Sequence, residues 1–532
     1  MTRLRTAFLA VLAIMCTALP LTAQGQSASR TITLEDMLRL PEFGSYELSP
    51  DGRQVLFTRS DRDTVAYEET SHIHLHDLAT GRTIQLTNSE KGESRPGWLP
   101  DGRVTFRSDR GDGNEMWVIS PTGGEAQRYV EDEDAEDGEF SPDYTRIAFT
   151  ESTDRPDEEE WEERVERKDD GYFAERKLTY EHLWVYDVAA GKKTQLTTGD
   201  FDHGSPTWSP DGRSIAYVSN RSNTTARDPG YSNNSDIYLV PADSGAARQL
   251  TTNPGPDRSP DFSPDGRLMA YLSSDRVNNS ADQNDVKVLA LDGGAPVNLT
   301  ADYDYSVSSV EWSKDGSHLY ISAAEGLTQK LYKVPAQGGE LTPIEFDDGV
   351  VFRDFSQSED GSKWLVTGST LSEPDLVYLT DPDGRNPQRI LEEHNLLADF
   401  RVARAEPLTW KGADGWDIEG VLHYPLDYQP GVRYPLILQV HGGPHGRYTE
   451  SFNQGAQIWA ARGYAVLQTN PRGSSGRTFE FSNANVNDWG GKDFTDIMNG
   501  VDHVIELGVA DPERMAVIGG SDGGFMTFWA VT

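Results

Sequence analysis

One short phrase, repeated, limits what this chain can fold into more than any other feature. Ser49-Pro50-Asp51-Gly52 returns as LPDG at Leu99, SPDY at Ser141, SPDG at Ser209 and Ser263, SKDG at Ser313 and SEDG at Ser358. The seven copies lie 50, 42, 68, 54, 50 and 45 residues apart. Proline presets φ, aspartate caps the turn and glycine takes a positive φ, so each copy is a tight turn. Each turn feeds an apolar run, such as IAYV at 215–218 or MAYL at 269–272. Trp98, Phe140, Trp208, Phe262 and Trp312 stand just before five of the turns. A second phrase closes most units: QLT from Gln85, Gln195 and Gln249, and NLT from Asn298. A period of about 40–50 residues with four short strands per unit marks a β-propeller. One such blade cannot bury both faces alone, so blades stack around an axis. Seven copies predict an all-β propeller of seven blades, assigned to residues 31–400.

The longest interval holds an acidic insertion, DRPDEEEWEERVERKDD at 154–170. Glu160 with Arg164 and Glu163 with Arg167 have helical spacing, which predicts an exposed charged helix.

From about residue 405 the pattern changes. Continuous apolar runs at 436–440, 464–467 and 515–518 read as buried strands. Between the last two, Ile497, Val501, Val504 and Ile505 share one helical face, with Asp493 as expected cap and Gly508 as stop. Strand–helix alternation of this kind predicts a parallel α/β sheet, here residues 401–532 as the N-terminal part of an α/β-hydrolase domain. The third strand runs into Gly519-Gly520-Ser521-Asp522-Gly523-Gly524, which contains G-x-S-x-G. That spacing is a nucleophile elbow: a sharp strand-to-helix turn lifts the serine clear, and the glycines let strand and helix pack closely. Ser521 is therefore the candidate nucleophile, and the amide of Asp522 a candidate oxyanion donor. His441-Gly442-Gly443 follows the first strand, where hydrolases place the second donor, and Gly443 is the candidate for it. A metal site on His441 and His445 lacks a carboxylate at suitable spacing.

HGGPHG at 441–446, NPRGSSG at 470–476, DWGGKD at 488–493 and GGSDGG at 519–524, in that order, resemble the prolyl oligopeptidase family of serine peptidases. The likeness is strongest to its acylaminoacyl-peptidase and dipeptidyl-peptidase-5-like branch. It implies that Ser521 forms an acyl-enzyme on short peptides, releasing a dipeptide or an acylated residue from the N-terminus. It also implies that the propeller caps the catalytic face, restricting access to short peptides, and that 470–476 shapes a loop near the cavity. Relatives resembling dipeptidyl peptidase IV hold the substrate amine with propeller glutamates, a role that the 158–160 stretch could fill but to which it does not align. Where relatives often carry tyrosine after the nucleophile, this chain has Asp522. The hydrolase order Ser, then Asp or Glu, then His places both triad partners after Ser521, yet Thr532 follows by only 11 residues. The expectation is a fragment of a longer enzyme, inactive by itself, with the 515–518 strand left as an apolar edge. The alternative is a non-catalytic propeller binding module, similar to TolB-type periplasmic propellers, with a hydrolase remnant.

Arg3, Arg5 and the apolar run at 7–21, ending in Leu21-Thr22-Ala23, read as a signal peptide over residues 1–23. Its removal takes away Cys16, the only cysteine. Periplasmic or secreted location follows, with no membrane span after cleavage. The formal net charge of −38 repels phosphate backbones and argues against nucleic acid as a partner. No metal or organic cofactor is implied, and oligomeric state is left open.

Overall fold

The computed structural model describes residues 30–532 apart from 112, 114, 133, 155, 157, 170–178, 222–233, 277–280, 282 and 347–348. The signal-peptide assignment lies outside the described residues.

Each repeat folds as expected into a turn and then a strand. In six copies the serine hydroxyl donates to the turn aspartate, at 2.7 Å for Ser49–Asp51, Ser141–Asp143, Ser209–Asp211, Ser263–Asp265 and Ser313–Asp315 and 2.8 Å for Ser358–Asp360. The same hydroxyl accepts the amide of the residue starting the next strand, as at Gln54 and Leu268. Gly52, Gly212, Gly266 and Gly316 take φ between 66° and 70°. Tyr144 in the SPDY copy is forced to φ 58°, where a side chain is strained. The threonine of the closing phrase also has a defined job. Thr87, Thr197, Thr251 and Thr300 each accept the amide of a third-strand residue, at 2.8–2.9 Å.

Among the described residues, seven four-stranded antiparallel sheets result, the first from Glu42–Leu48 to Arg82–Gln85 and the last from Val351–Gln357 to Arg385–Ile390. Every blade is built from consecutive strands, so the ring closes by packing rather than by a shared sheet. At that closure Leu48, Val55 and Phe57 of the first blade bury against Leu365 and Val377 of the last. The aromatics before the turns are staples between blades. Trp208 Nε1 donates to Glu139 O at 2.9 Å, and Trp312 Nε1 to Asp261 O at 3.1 Å. The segments flanking the blades pair with each other, Arg30–Thr31 beside Phe400–Arg401. The helix Leu34–Arg39 packs its Met37 into a cluster with Leu397, Phe452 and Ile458. The acidic insertion contains the expected helix, Glu158–Glu166, whose Arg164 meets Asp169 at 3.3 Å.

The second domain has a five-stranded sheet in the order Ala405–Lys411, Asp417–His423, Ala465–Asn470, Tyr434–Val440, Ala510–Gly519. The last three strands run parallel. Ile418, Leu422, Leu438, Leu467, Ile497, Val501 and Val504 form its core with the helix Lys492–Glu506. That helix begins at the N-cap Gly491, two residues before the expected cap. Asp493 sits inside its first turn, with Oδ1 accepting the Phe494 amide at 2.7 Å. Gly508 follows the C-cap Leu507 with φ 76°, as a stop requires. The strand Ala510–Gly519 is the sheet edge, and Met515 and Ile518 on it are exposed. Among the described residues no helix is long and apolar enough to cross a membrane.

Candidate active site

Ligand sites in parallel sheets form beyond the C-terminal ends of the strands. Three loops meet there: 441–450 after Tyr434–Val440, 471–477 after Ala465–Asn470, and the elbow after Ala510–Gly519. Ser521 occupies the elbow with φ 55° and ψ −120°, strained for a residue with a side chain, and caps the helix Asp522–Val531. The flanking glycines are explained by space. A Cβ on Gly519 would stand 2.4 Å from Gly523 O, and one on Gly523 would stand 2.2 Å from Val440 O. Ser521 is exposed rather than buried in the strand.

The 441–443 loop lies directly against it. A Cβ on Gly442 would be 3.2 Å from Ser521 Cβ and 3.8 Å from its Oγ. Among the described residues no hydrogen bond consumes the amide of Gly443 or that of Asp522. Both candidate donors are thus available beside the serine. Gly443 takes φ 136°, a conformation that side chains avoid.

Neither nearby histidine serves Ser521 with its bonded nitrogens. His441 Nδ1 meets Gly442 O at 2.8 Å and Nε2 meets Ser474 Oγ at 2.9 Å; His445 Nδ1 meets Gly473 O at 2.7 Å. The two rings thereby fasten the oxyanion-side loop to the 471–477 loop. That second loop is anchored in turn by Arg472, whose Nε and Nη2 donate to the Asp496 carboxylate at 2.7 and 3.0 Å. Asn470 adds a reciprocal pair with the Tyr448 backbone, at 2.7 and 2.9 Å. The NPRGSSG motif marks a loop near the cavity, but these partners come from other elements and leave no mark within the motif itself.

Burial raises the Asp522 carboxyl above its ordinary range, with His441 and His445 pulling it back. Asp493 is pushed to about 6 by burial and by the charges of Asp522, Asp488 and Asp496, against the pull of the Phe494 amide. Among the described residues, the buried Asp493 Oδ2 has no hydrogen-bond partner. The site is therefore acidic on the helix side of Ser521 and carries imidazoles on the loop side.

The propeller stands over the same loops. Arg447 Nη1 donates to Gly326 O at 3.0 Å and Thr328 O at 2.7 Å, while Glu450 N donates to Leu327 O at 2.8 Å. Gln283 Nε2 reaches Arg477 O at 3.1 Å, and Arg276 stacks on Phe479 at 3.8 Å. A cavity of about 440 Å³ remains between the domains, lined by Glu325, Lys330, Glu419, Glu450 and Arg477.

A seven-bladed propeller set over the C-terminal edge of a parallel sheet, with a serine on a strained strand–helix elbow, defines a two-domain α/β-hydrolase. The model of the prolyl oligopeptidase family matches residues 450–532. "Uncharacterized peptidase YuxL" of Bacillus subtilis is 30% identical over 533 residues, covering 94% of this chain and 80% of that protein. "Dipeptidyl-peptidase 5" of Porphyromonas gingivalis is 26% identical, over 95% of this chain and 77% of that protein. The structure of an acylaminoacyl peptidase from Pyrococcus horikoshii superposes with a TM-score of 0.75 at 20% identity, covering 94% and 76% of the two chains. The chain belongs to the prolyl oligopeptidase family and is a serine-type peptidase acting on peptides.

Proposed function

We propose that Ser521 is the nucleophile of an exopeptidase that releases dipeptides from the N-terminus of short peptides through an acyl-enzyme. The observation that carries this is the elbow itself, where a strained serine abuts the Gly442–Gly443 peptide. Ser521 Oγ attacks the scissile carbonyl. The amides of Gly443 and Asp522 then receive the oxygen as it gains charge, in a site closed over by the propeller. Dipeptidyl rather than acylaminoacyl release is favoured because the more similar sequences include dipeptidyl-peptidases 5, at 25–30% identity. A free α-amine also suits the acidic side formed by Asp522 and Asp493.

The general base is proposed to come from a histidine, oriented by an aspartate, in polypeptide following Thr532. Support comes from two places. His441 and His445 are committed to loop contacts. The elbow strand and helix also expose Met515, Ile518, Phe525, Phe528, Trp529 and Val531, an apolar edge that further strands and helices would cover. Export to the periplasm or exterior is proposed from residues 1–23, and N-terminal sequencing should find Gln24 first.

The test uses the full-length enzyme with dipeptidyl- and N-acyl-aminoacyl-p-nitroanilides. Dipeptidyl release abolished by Ser521→Ala is expected. Hydrolysis confined to acylated substrates would shift the assignment, and activity surviving Ser521→Ala would end it.

A further inference from the structure

We propose that His441 is the positioning residue of the oxyanion amide: its Nδ1–H holds the Gly442 carbonyl and thereby aims the Gly443 N–H at the space before Ser521. This rests on the peptidase reading given above.

The reasoning starts from one peptide bond. The Gly442 carbonyl and the Gly443 N–H belong to a single planar trans unit, so they point in opposite directions. Two donors draw the carbonyl to one side, His441 Nδ1 at 2.8 Å and Gly446 N at 3.2 Å. The N–H must then face the other way, and among the described residues nothing there accepts it. Two glycines in sequence otherwise have broad φ/ψ freedom, and this peptide could flip at little cost. An amide that flips cannot be a preorganised donor.

The ring itself is held from behind. A carbonyl cannot donate, so the proton of a neutral His441 resides on Nδ1. Nε2 is then an acceptor, and the hydroxyl of fully buried Ser474 supplies its proton at 2.9 Å. Pro471 O, also within 2.7 Å of that hydroxyl, is satisfied independently by the Ser474 amide at 3.1 Å. Burial keeps the imidazole below its usual pKa, against the pulls of the Gly442 carbonyl and Asp522, which preserves a single N–H. Tyr448 packs edge-on against the ring at 5.7 Å and limits its rotation. The Arg472–Asp496 pair fixes the loop that carries Ser474. A chain of contacts thus runs from the helix Lys492–Glu506 to one oxyanion amide.

The test has two arms. In the chain labelled with ¹⁵N-histidine, with His441→Asn for assignment, the His441 signals should show the neutral Nδ1–H tautomer. An Nε2–H ring would overturn the proposal. In the full-length peptidase, His441→Phe should lower kcat by about 10- to 100-fold with little change in KM, since the lost contribution acts on the transition state. His441→Asn can place its amide N–H where Nδ1 stands and should recover most of that loss. Equal losses in both variants at unchanged melting temperature, or a loss confined to KM, would overturn it. Should Ser521→Ala remain active, the peptidase reading fails, and the tautomer still decides the role of the ring.

Discussion

Replacing Asp496 with asparagine removes one charge from a fully enclosed pair and changes little else in shape. Asp496 and Arg472 have side-chain exposures of 0% and 2%. The carboxylate accepts Arg472 Nε at 2.7 Å, Arg472 Nη2 at 3.0 Å, the Arg472 amide at 3.1 Å and the Ala413 amide at 2.8 Å. An asparagine must turn an N–H₂ toward some of these donors, leaving the guanidinium partly uncompensated. Breaking a buried pair from one side costs about 3–5 kcal/mol. For a domain of this size that lowers its melting temperature by roughly 10 °C. The exposed pair Lys411–Asp417, at 2.6 Å with exposures of 68% and 56%, provides the contrast. Lys411→Met should cost under about 1 kcal/mol. Scanning calorimetry reads both, and hydrogen exchange over 410–416 and 470–477 should quicken only in Asp496→Asn. A melting temperature within about 2 °C of the parent protein, with unchanged exchange, would refute the claim that this pair anchors the loop behind the site.

Three further outcomes follow from the structure. Gly523→Ala puts a Cβ 2.2 Å from Val440 O, so the elbow helix must move; about 1–3 kcal/mol of stability and about 100-fold in kcat/KM should go with it, read by calorimetry and initial rates. His423 is buried with its pKa pushed from 6.5 to about 4 by burial, against the pull of Gln468; the unfolded chain therefore takes up a proton that the native state refuses. The His423 contribution to hydrolase-domain stability should be full above pH 6.5 and fall by up to about 3 kcal/mol toward pH 4, a slope that His423→Leu removes in urea titrations. In the propeller the sign reverses. Glu47, at a cavity of about 640 Å³, and Asp261 and Glu311 stand on the first strands of three different blades. Desolvation by the surrounding protein, with repulsion from Asp354 on Glu47, from Glu139 on Asp261 and from Asp261 and Asp354 on Glu311, pushes them to about 7, 6 and 7 against the pulls of the Trp312 amide, Gln357 and Lys314. The native propeller holds protons that the unfolded chain releases above pH 4.5, so its melting temperature should fall from pH 5.5 to pH 8, less so in Glu311→Gln.

The fold was legible because its signals are local. Each S-P-D-G carries its own turn chemistry, and G-x-S-x-G its own spacing, so propeller, parallel sheet and elbow all stood in short windows of sequence. What escaped needs partners distant in the chain. Trp208 reads as a core aromatic until Glu139 of the neighbouring blade appears opposite its indole nitrogen. Arg472 reads as part of a loop motif until the helix Lys492–Glu506 brings Asp496 to it, and His441 only as the residue leading the oxyanion glycines until Ser474 meets it. The helix starts at the N-cap Gly491 rather than at Asp493, whose carboxylate lies inside the first turn and accepts the Phe494 amide. The anchoring of Arg447 on the Gly326–Thr328 hairpin had no sequence signal at all.

The central claim concerns one hydroxyl on one bend. Treating the full-length protein with a fluorophosphonate and mapping the adduct by mass spectrometry addresses it directly. A single modification at Ser521, absent after Ser521→Ala and slowed by short free-amine peptides, is the predicted result. An adduct on any other residue, or labelling undiminished in Ser521→Ala, would contradict the account.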